Sequence, residues 1–185
     1  GIGRAVTAEL CPGGAFVSTL ILAPPGAGKT TLLRDIIRCL SDGIGCDGHR
    51  VGLVDERGEI FPEGLSRGQG LDILTGCPKA EGIEMLLRTM SPDCIALDEI
   101  TAEEDCEALI RAAHCGVDLI ATAHAASMED LFRRSTYRPL ATHRIFQTVL
   151  LLTSSSKTYT RSWSRFMVWD RCLWNLSLNP NGLRK

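Results

Sequence analysis

The segment at residues 23–31, with the sequence APPGAGKTT, constrains the fold of this chain more than any other stretch. It follows an apolar run at 16–22 and precedes a helix-like segment at 32–40, which predicts a strand, a glycine-rich turn and a helix in that order. Backbone N–H groups of such a turn converge on phosphate oxygens, and the helix N-terminus adds the positive end of its dipole. The sequence therefore predicts that the chain binds a nucleotide.

Individual residues of this loop have predicted roles. The ammonium of Lys29 is expected to reach the β- and γ-phosphates, and the hydroxyl of Thr30 is expected to bind Mg²⁺. Ala23 stands where the motif usually has its first glycine, which is a small departure. A turn that only caps a helix is the alternative, but the flanks and the spacing favour phosphate binding. The predicted nucleotide-binding residues are Pro25, Gly26, Ala27, Gly28, Lys29, Thr30 and Thr31.

The composition is that of a globular protein. Of the 185 residues, 44% are hydrophobic and 23% are charged, and the net charge is −2. No apolar run reaches the length of a membrane span, and no secretory signal pattern opens the chain, so we expect a cytoplasmic protein. The eight cysteines include no Cys-x-x-Cys pair, which argues against zinc and for reduced thiols. Because the first residue is Gly1 rather than Met, we expect a fragment or a processed product.

Apolar runs alternate with helix-like periodic segments along the chain. Strands are predicted at 16–23, 50–55, 93–98, 117–122 and 145–152, and helices at 28–41, 79–90, 102–114 and 127–134. Near-continuous Ile, Leu and Val runs are typical of strands buried on both faces, so the pattern predicts an α/β protein with a parallel sheet covered by helices. Residues 58–78 are predicted to form a long glycine-rich loop.

The composition changes after residue 152. Residues 153–185 contain six Lys or Arg against one Asp, and they contain all three tryptophans, Trp163, Trp169 and Trp174. We therefore divide the chain into a nucleotide-binding core at 1–152 and a basic tail at 153–185. A contact with a membrane surface or a partner is one interpretation of the tail. A divergent chain end is favoured, because no amphipathic period is visible.

An acidic pair follows the third predicted strand. Ligands bind at the carboxyl edge of open α/β sheets, where Asp98 is expected to hold Mg²⁺ and Glu99 to take a proton from the attacking water. The second strand also ends in charged residues, Asp55, Glu56 and Arg57, which are rivals for this assignment. We assign Mg²⁺ to Asp98, because Asp55 follows the phosphate loop too soon. The three rivals are then either secondary groups near the active edge or a solvated strand end.

One strand lies between the phosphate-loop strand and the acidic strand in sequence, which resembles the RecA-like and AAA+ division of P-loop ATPases. This resemblance implies the sheet order 5-1-4-3-2, with the strand at 117–122 between the loop strand and the acidic strand. The polar tip of that strand would then approach the γ-phosphate, where Thr122 or His124 would sense it. A loop or helix-capping histidine is the alternative for His124.

Eight short blocks are similar to one particular family, the stage III sporulation protein AA family of spore-forming Firmicutes. This family is related to the ring ATPases of type II and type IV secretion and of pilus assembly. Several of the blocks lie outside the general ATPase motifs, which makes the resemblance specific. The blocks are TLIL at 19–22, TTLLRD at 30–35, VDERGEI at 54–60, GCPKAEG at 76–82, SPD at 91–93, DEI at 98–100, EED at 103–105 and TAH at 122–124.

The resemblance implies an ATPase that uses ATP and Mg²⁺ and assembles as a homohexameric ring. Its catalytic residues would be Lys29, Glu99 and His124. It would act at the cytoplasmic face of a transenvelope channel, peripheral to the inner face of the membrane, with membrane-embedded channel proteins as partners. The family also has an amino-terminal domain before this core. Independently, the lack of an Asn-Lys-x-Asp guanine motif favours ATP over GTP.

Two departures from the family pattern leave alternatives open. Arginines that the resemblance leads us to expect near 70–71 and 101–102 are missing, and an arginine can dominate the rate of phosphoryl transfer. A nucleotide-binding scaffold with little hydrolysis is therefore one alternative. A nucleic-acid translocase or loader is the other, and the acidic core with its few aromatics argues against it. Remaining candidates for an inter-subunit arginine are Arg57, Arg67, Arg111, Arg133 and Arg134.

Overall fold

The predicted nucleotide-binding turn lies at the carboxyl edge of a mostly parallel sheet. The computed structural model describes residues 2–62, 64–154, 161–167 and 173–176. Within these ranges the strands are β1 (Thr19–Ala23), β2 (Val51–Asp55), β3 (Leu71–Thr75), β4 (Cys94–Glu99), β5 (Asp118–His124), β6 (Thr148–Ser154), β7 (Arg161–Met167) and β8 (Leu173–Leu176). The helices are α1 (Ile2–Leu10), α2 (Lys29–Asp42), α3 (Lys79–Thr89), α4 (Glu103–His114), α5 (Met128–Arg133) and α6 (Arg138–His143).

The strand order across the sheet is β3-β2-β4-β5-β1-β6-β7-β8. The strands from β3 to β6 are parallel to one another, whereas β7 and β8 add to the β6 edge as antiparallel strands. The five predicted strands correspond to β1, β2, β4, β5 and β6, and their order confirms the predicted 5-1-4-3-2. In particular, β5 lies between the strand of the phosphate loop and the acidic strand.

The segment 58–78 is not the continuous loop that the sequence pattern predicts, because it contains β3. This strand pairs with β2 from Val51 opposite Leu71 to Asp55 opposite Thr75. As an edge strand it is only partly buried, so it lacks the unbroken apolar run of the inner strands. The pattern also missed α1 and α6. The helix α1 packs on α2, where the backbone N–H of Gly3 donates to the carboxylate of Asp35 at 2.8 Å.

The strand β6 extends through residue 152 to Ser154 and pairs with β7. The division into a core at 1–152 and a tail at 153–185 stays a prediction. Trp169 lies outside the described residues, and so do the side chains on which a surface-contact role of the tail depends.

Hydrophobic layers cover both faces of the sheet. Along β1, Leu20 and Leu22 belong to the layer beneath α3, α4, α5 and α6, whereas Ile21 belongs to the layer beneath α1 and α2. Every residue of β1 and of β2 is buried. The predicted arrangement of buried parallel strands between helices is confirmed, and this packing fixes the strand ends that carry the site.

The close approach of α3 to β2 depends on Gly82. A Cβ at this position would lie 2.7 Å from Val54 Cγ1 and 3.1 Å from Cys77 Sγ. We expect Gly82→Ala to lower the free energy of unfolding by about 1–2 kcal/mol, because overpacking against a stiff β-branched neighbour outweighs the gain in helix propensity. Thermal denaturation followed by circular dichroism measures the change. Gly48→Ala is the control, since a Cβ there meets only atoms at 3.9 Å. Equal stability of Gly82→Ala and the wild type would contradict the prediction.

Candidate functional site

The turn between β1 and α2 has a backbone conformation that glycine adopts most readily. Gly26 and Gly28 have φ angles of +74° and +87°, in the left-handed region. Gly28 caps α2, and its carbonyl accepts a hydrogen bond from the Leu32 N–H at 3.1 Å. Lys29 is therefore the first residue of α2, where the free backbone N–H groups and the helix dipole favour an anion. All the predicted loop residues lie on this turn and the first turn of α2.

A cavity of about 310 Å³ opens at the carboxyl ends of the parallel strands. From the predicted loop, the residues that line it are Pro25, Gly26, Lys29 and Thr30, while Ala27, Gly28 and Thr31 do not. The other lining residues are Glu56, Arg57, Glu59, Lys79, Asp98, Glu99, Thr101 and His124. The fold thus brings the phosphate loop, the acidic pair and the histidine together from the neighbouring strands β1, β4 and β5.

The three predicted catalytic side chains contact one another in the order Lys29, His124 and Glu99. The ammonium of Lys29 lies 2.6 Å from Nδ1 of His124 and 2.9 Å from its Nε2. The same Nε2 lies 2.9 Å from Oε2 of Glu99. These partners select the tautomer in which Nδ1 accepts from Lys29 and Nε2–H donates to Glu99. The side chains of His124 and Glu99 are about one-third exposed, at 31% and 30%, so both remain open to the cavity.

The electrostatics of this cavity suit a cation close to Asp98. Burial raises the pKa of Asp98, and the negative charges of Asp55, Glu59 and Glu99 raise it further, against an opposing effect of Lys79. Burial is also the main cause that lowers the pKa of Lys29, while the charges of Glu99 and Asp98 act in the opposite direction. An additional positive charge beside Asp98 would relieve the repulsion among these carboxylates.

The residues present fit a Mg²⁺ ion. The hydroxyl of Thr30 and the carboxylate of Asp98 are hard oxygen donors that line one cavity. Among the described residues, no three His, Cys, Asp or Glu side chains are grouped so as to hold a metal by themselves. A site with one or two protein oxygens is typical of Mg²⁺ bound together with substrate phosphates and water.

Asp55, the rival to Asp98, has a different role. Its side chain is buried, and its two carboxylate oxygens accept hydrogen bonds from the backbone N–H groups of Glu59 at 3.0 Å and Ile60 at 2.8 Å. It therefore orders the turn after β2 and has no place among the cavity residues. Its neighbours Glu56 and Arg57 do line the cavity, which favours the interpretation of these two as secondary groups at the active edge.

Thr122 is also unsuited to the role of phosphate sensor. The residue is fully buried, and its hydroxyl donates a hydrogen bond to the backbone carbonyl of Asp98 at 3.1 Å. This bond ties β5 to the end of β4, where the pairing register shifts between Leu97 and Glu99. Of the two residues proposed from the sequence, only His124 reaches the cavity.

Lys79 is a cavity residue that the sequence analysis did not single out as functional. It is the first residue of α3, and only 10% of its side chain is exposed. A cation is unfavourable at a helix N-terminus, because the positive end of the helix dipole lies there. That local conflict is the sequence signal that could have drawn attention to Lys79.

A larger cavity of about 780 Å³ lies at the opposite, amino-terminal ends of the strands. Among its lining residues is Arg50, whose guanidinium donates to Asp93 at 2.8 Å and 3.2 Å. These hydrogen bonds hold the pKa of Asp93 at about 2. The arginine is therefore already paired with a carboxylate. Ligands of open parallel sheets bind at the carboxyl edge, so the smaller cavity is the candidate site.

No helix among the described residues combines the length and the apolar character that crossing a membrane requires.

The family described as "Sporulation stage III, protein AA" matches residues 1–161. The chain is 43% identical over 144 residues to the stage III sporulation protein AA of Bacillus subtilis (strain 168), covering 75% of this chain and 47% of that protein. It is 32% identical over 125 residues to the uncharacterized protein ycf45 of Cyanidium caldarium, covering 64% and 36% respectively. The chain thus spans about half or less of these relatives.

Solved structures with the same fold include secretion and pilus ATPases. The VirB11 ATPase from the Brucella suis type IV secretion system has a TM-score of 0.65 at 19% identity, over 94% of this chain and 50% of VirB11. The pilus retraction motor PilT has a TM-score of 0.62 at 15% identity, over 82% of this chain and 47% of PilT. The fold is therefore that of the RecA-like P-loop ATPases. Together with the family match over residues 1–161, this shows that the chain belongs to the stage III sporulation protein AA family.

Proposed function

We propose that this protein binds Mg-ATP in the 310 Å³ cavity and hydrolyses it. The observation that carries the proposal is the line of contacts from Lys29 through His124 to Glu99, beside a helix N-terminus suited to phosphate. A phosphate-binding lysine and a carboxylate able to accept a proton are groups that phosphoryl transfer to water uses, and the histidine contacts both of them.

The roles follow from the contacts. Bound phosphates compete with His124 for the N–H donors of Lys29, so nucleotide binding releases His124 from the lysine. His124 then holds Glu99 through Nε2, and Glu99 accepts the proton of the water that attacks the terminal phosphate. Mg²⁺ held by Thr30 and Asp98 would supply charge that neutralises the phosphate oxygens. His124 is the last residue of β5. A change in its position when the terminal phosphate binds is therefore transmitted to the sheet.

We extend the proposal to an oligomeric motor, a homohexamer at the cytoplasmic face of a transenvelope channel. Membrane-embedded channel proteins are its proposed partners, and nucleic acid is not. Two findings support this: membership of a sporulation family, and a fold shared with a type IV secretion ATPase and a pilus retraction motor. In such a ring, an arginine of a neighbouring subunit would stabilise the transferring phosphoryl group and raise the rate about 10³- to 10⁵-fold.

The motor proposal predicts that hydrolysis depends on assembly. We expect the ATPase activity per subunit to rise with protein concentration over the range in which light scattering shows the monomer giving way to the ring. The physical reason is that the arginine needed for fast phosphoryl transfer comes from another subunit. A specific activity that stays flat while the protein assembles would contradict catalysis by neighbouring subunits. ATPase activity that occurs only when single-stranded DNA is added would instead favour a translocase.

A further inference from the structure

Lys79 has an environment that a purely structural lysine does not require. Its side chain is nine-tenths buried at the first position of α3, against the helix dipole. Lysine is among the residues least often buried, because desolvation of its charge costs free energy unless partners compensate. A lysine kept at such a position points to a role for its charge at the cavity that it lines.

The contacts of Lys79 leave part of its ammonium available. The group donates one hydrogen bond, to Thr101 Oγ1 at 2.9 Å. Carboxylates of Glu56 and Asp105 lie at 3.6 Å and 3.9 Å, which are ion-pair distances longer than a hydrogen bond. Oδ2 of Asp105, moreover, already accepts from the Thr101 and Ala102 backbone N–H groups. An ammonium has three donors, so two of them have no close acceptor among the described residues.

The charge balance of the cavity gives this ammonium a function. Three cationic side chains, Lys29, Arg57 and Lys79, face four carboxylates. A triphosphate brings further negative charge into this surface. Removal of Lys79 would leave twice as many carboxylates as cations in the cavity. These carboxylates would then repel the most highly charged part of the triphosphate more strongly.

The position of Lys79 identifies which phosphate it meets. The ammonium of Lys79 donates to Thr101, which follows the carboxyl end of β4, whereas the phosphate loop follows β1. In the sheet β5 separates β4 from β1, which places the two strand ends about 10 Å apart. Glu99, the proposed acceptor of the water proton, is the last residue of β4. The phosphate that reaches from the loop towards Glu99 and Lys79 is the terminal one.

We propose that Lys79 is a second phosphate-binding lysine, which contacts the terminal phosphate of ATP from the α3 side of the cavity and makes the protein prefer ATP to ADP. This inference rests on the proposed function, because it assumes that the cavity holds ATP. Within the chain, Lys79 then supplies a positive charge on the side of the terminal phosphate opposite Lys29.

The test compares the affinities of Lys79 variants for Mg-ATP and Mg-ADP. We expect Lys79→Met to weaken binding of a non-hydrolysable ATP analogue about 10- to 100-fold, as for loss of a hydrogen bond between charged groups, and to change ADP binding less than threefold. Lys79→Arg keeps the charge and is expected to retain most of the preference for ATP. Arg88→Met is the matched control, since it removes a cation from the last turn of the same helix, where the side chain is 80% exposed.

Each outcome separates this inference from the proposed function. If the wild type binds neither nucleotide, the proposed function fails, and this inference fails with it. If the wild type binds ATP and Lys79→Met weakens ATP and ADP equally, Lys79 only orders the loops and the inference alone is overturned. Unchanged affinity for both nucleotides would overturn it as well.

A second measurement needs no variant and covers the case in which Lys79→Met does not fold. Reductive methylation of the wild type, read by mass spectrometry, reports the accessibility of each lysine. We expect the ATP analogue to protect Lys79 at least about fivefold more than ADP does, while both nucleotides protect Lys29, because each extra charge-assisted bond reduces exposure of the amine. Equal protection of Lys79 by ATP and ADP would contradict a contact with the terminal phosphate.

Discussion

Lys29→Ala is expected to weaken Mg-ATP binding at least about 100-fold, which corresponds to the loss of two charge-assisted hydrogen bonds to phosphate. Lys29 is 9% exposed, and its ammonium faces the cavity at the N-terminus of α2. No other side chain on the first turn of α2 carries a charge, so none can take over the role of the Lys29 ammonium. Isothermal titration calorimetry of the folded variant with Mg-ATP measures the effect.

The control for this experiment is Arg38→Ala. Arg38 lies on the same helix, and its half-exposed side chain forms a 3.7 Å ion pair with Asp35. This variant removes the same unit of charge without touching the cavity, so its affinity is expected to stay within about twofold of the wild type. If Lys29→Ala binds Mg-ATP with the affinity of the wild type, the nucleotide proposal loses its basis.

Glu99→Gln is expected to lower the rate of ATP hydrolysis about 10²- to 10⁴-fold and to leave Mg-ATP binding intact. Glutamine has the shape of glutamate, and its amide oxygen still accepts the Nε2–H of His124, so the geometry at the end of β4 is kept. What the variant loses is a group that can take a proton from water. Single-turnover hydrolysis, with binding measured separately, distinguishes the two effects.

Glu104→Gln serves as the matched control for the loss of a carboxylate, because Glu104 is exposed on the first turn of α4, outside the cavity. We expect its hydrolysis rate to equal that of the wild type. If the wild type and Glu99→Gln are equally inactive while both bind ATP, the protein is a nucleotide-binding scaffold and Glu99 is not a base. A Glu99→Gln variant that hydrolyses ATP normally would assign the base to another residue.

Much of the fold could be predicted from local patterns. The five inner parallel strands are buried on both faces, and continuous apolar runs mark them in the sequence. The edge strand β3 is only partly buried, and its pattern does not differ from that of a loop. The short α6 and the terminal α1 owe their stability to packing on neighbouring helices, which a local pattern does not contain.

The candidate site shows the same division. Spacing and flanks alone placed Lys29 and Thr30 at a helix N-terminus, because the phosphate loop is a local structure of nine residues. The sequence favoured Asp98 over Asp55 for Mg²⁺, but only the tertiary structure shows that two backbone N–H groups donate to the carboxylate of Asp55. The place of Lys79 in the cavity, where it donates to Thr101 22 positions away in the chain, is visible only in three dimensions.

The sequence by itself determined the phosphate loop and the acidic end of β4, because each follows from residues that are neighbours along the chain, whereas the strand order came from the resemblance to RecA-like ATPases. The tertiary structure alone decided that Lys29 and His124, 95 residues apart, come within 2.6 Å of each other, and that Thr122 is buried away from the cavity. The physical reason is the order of the strands: β5 is inserted between β1 and β4, so hydrogen bonding across the sheet sets these distances.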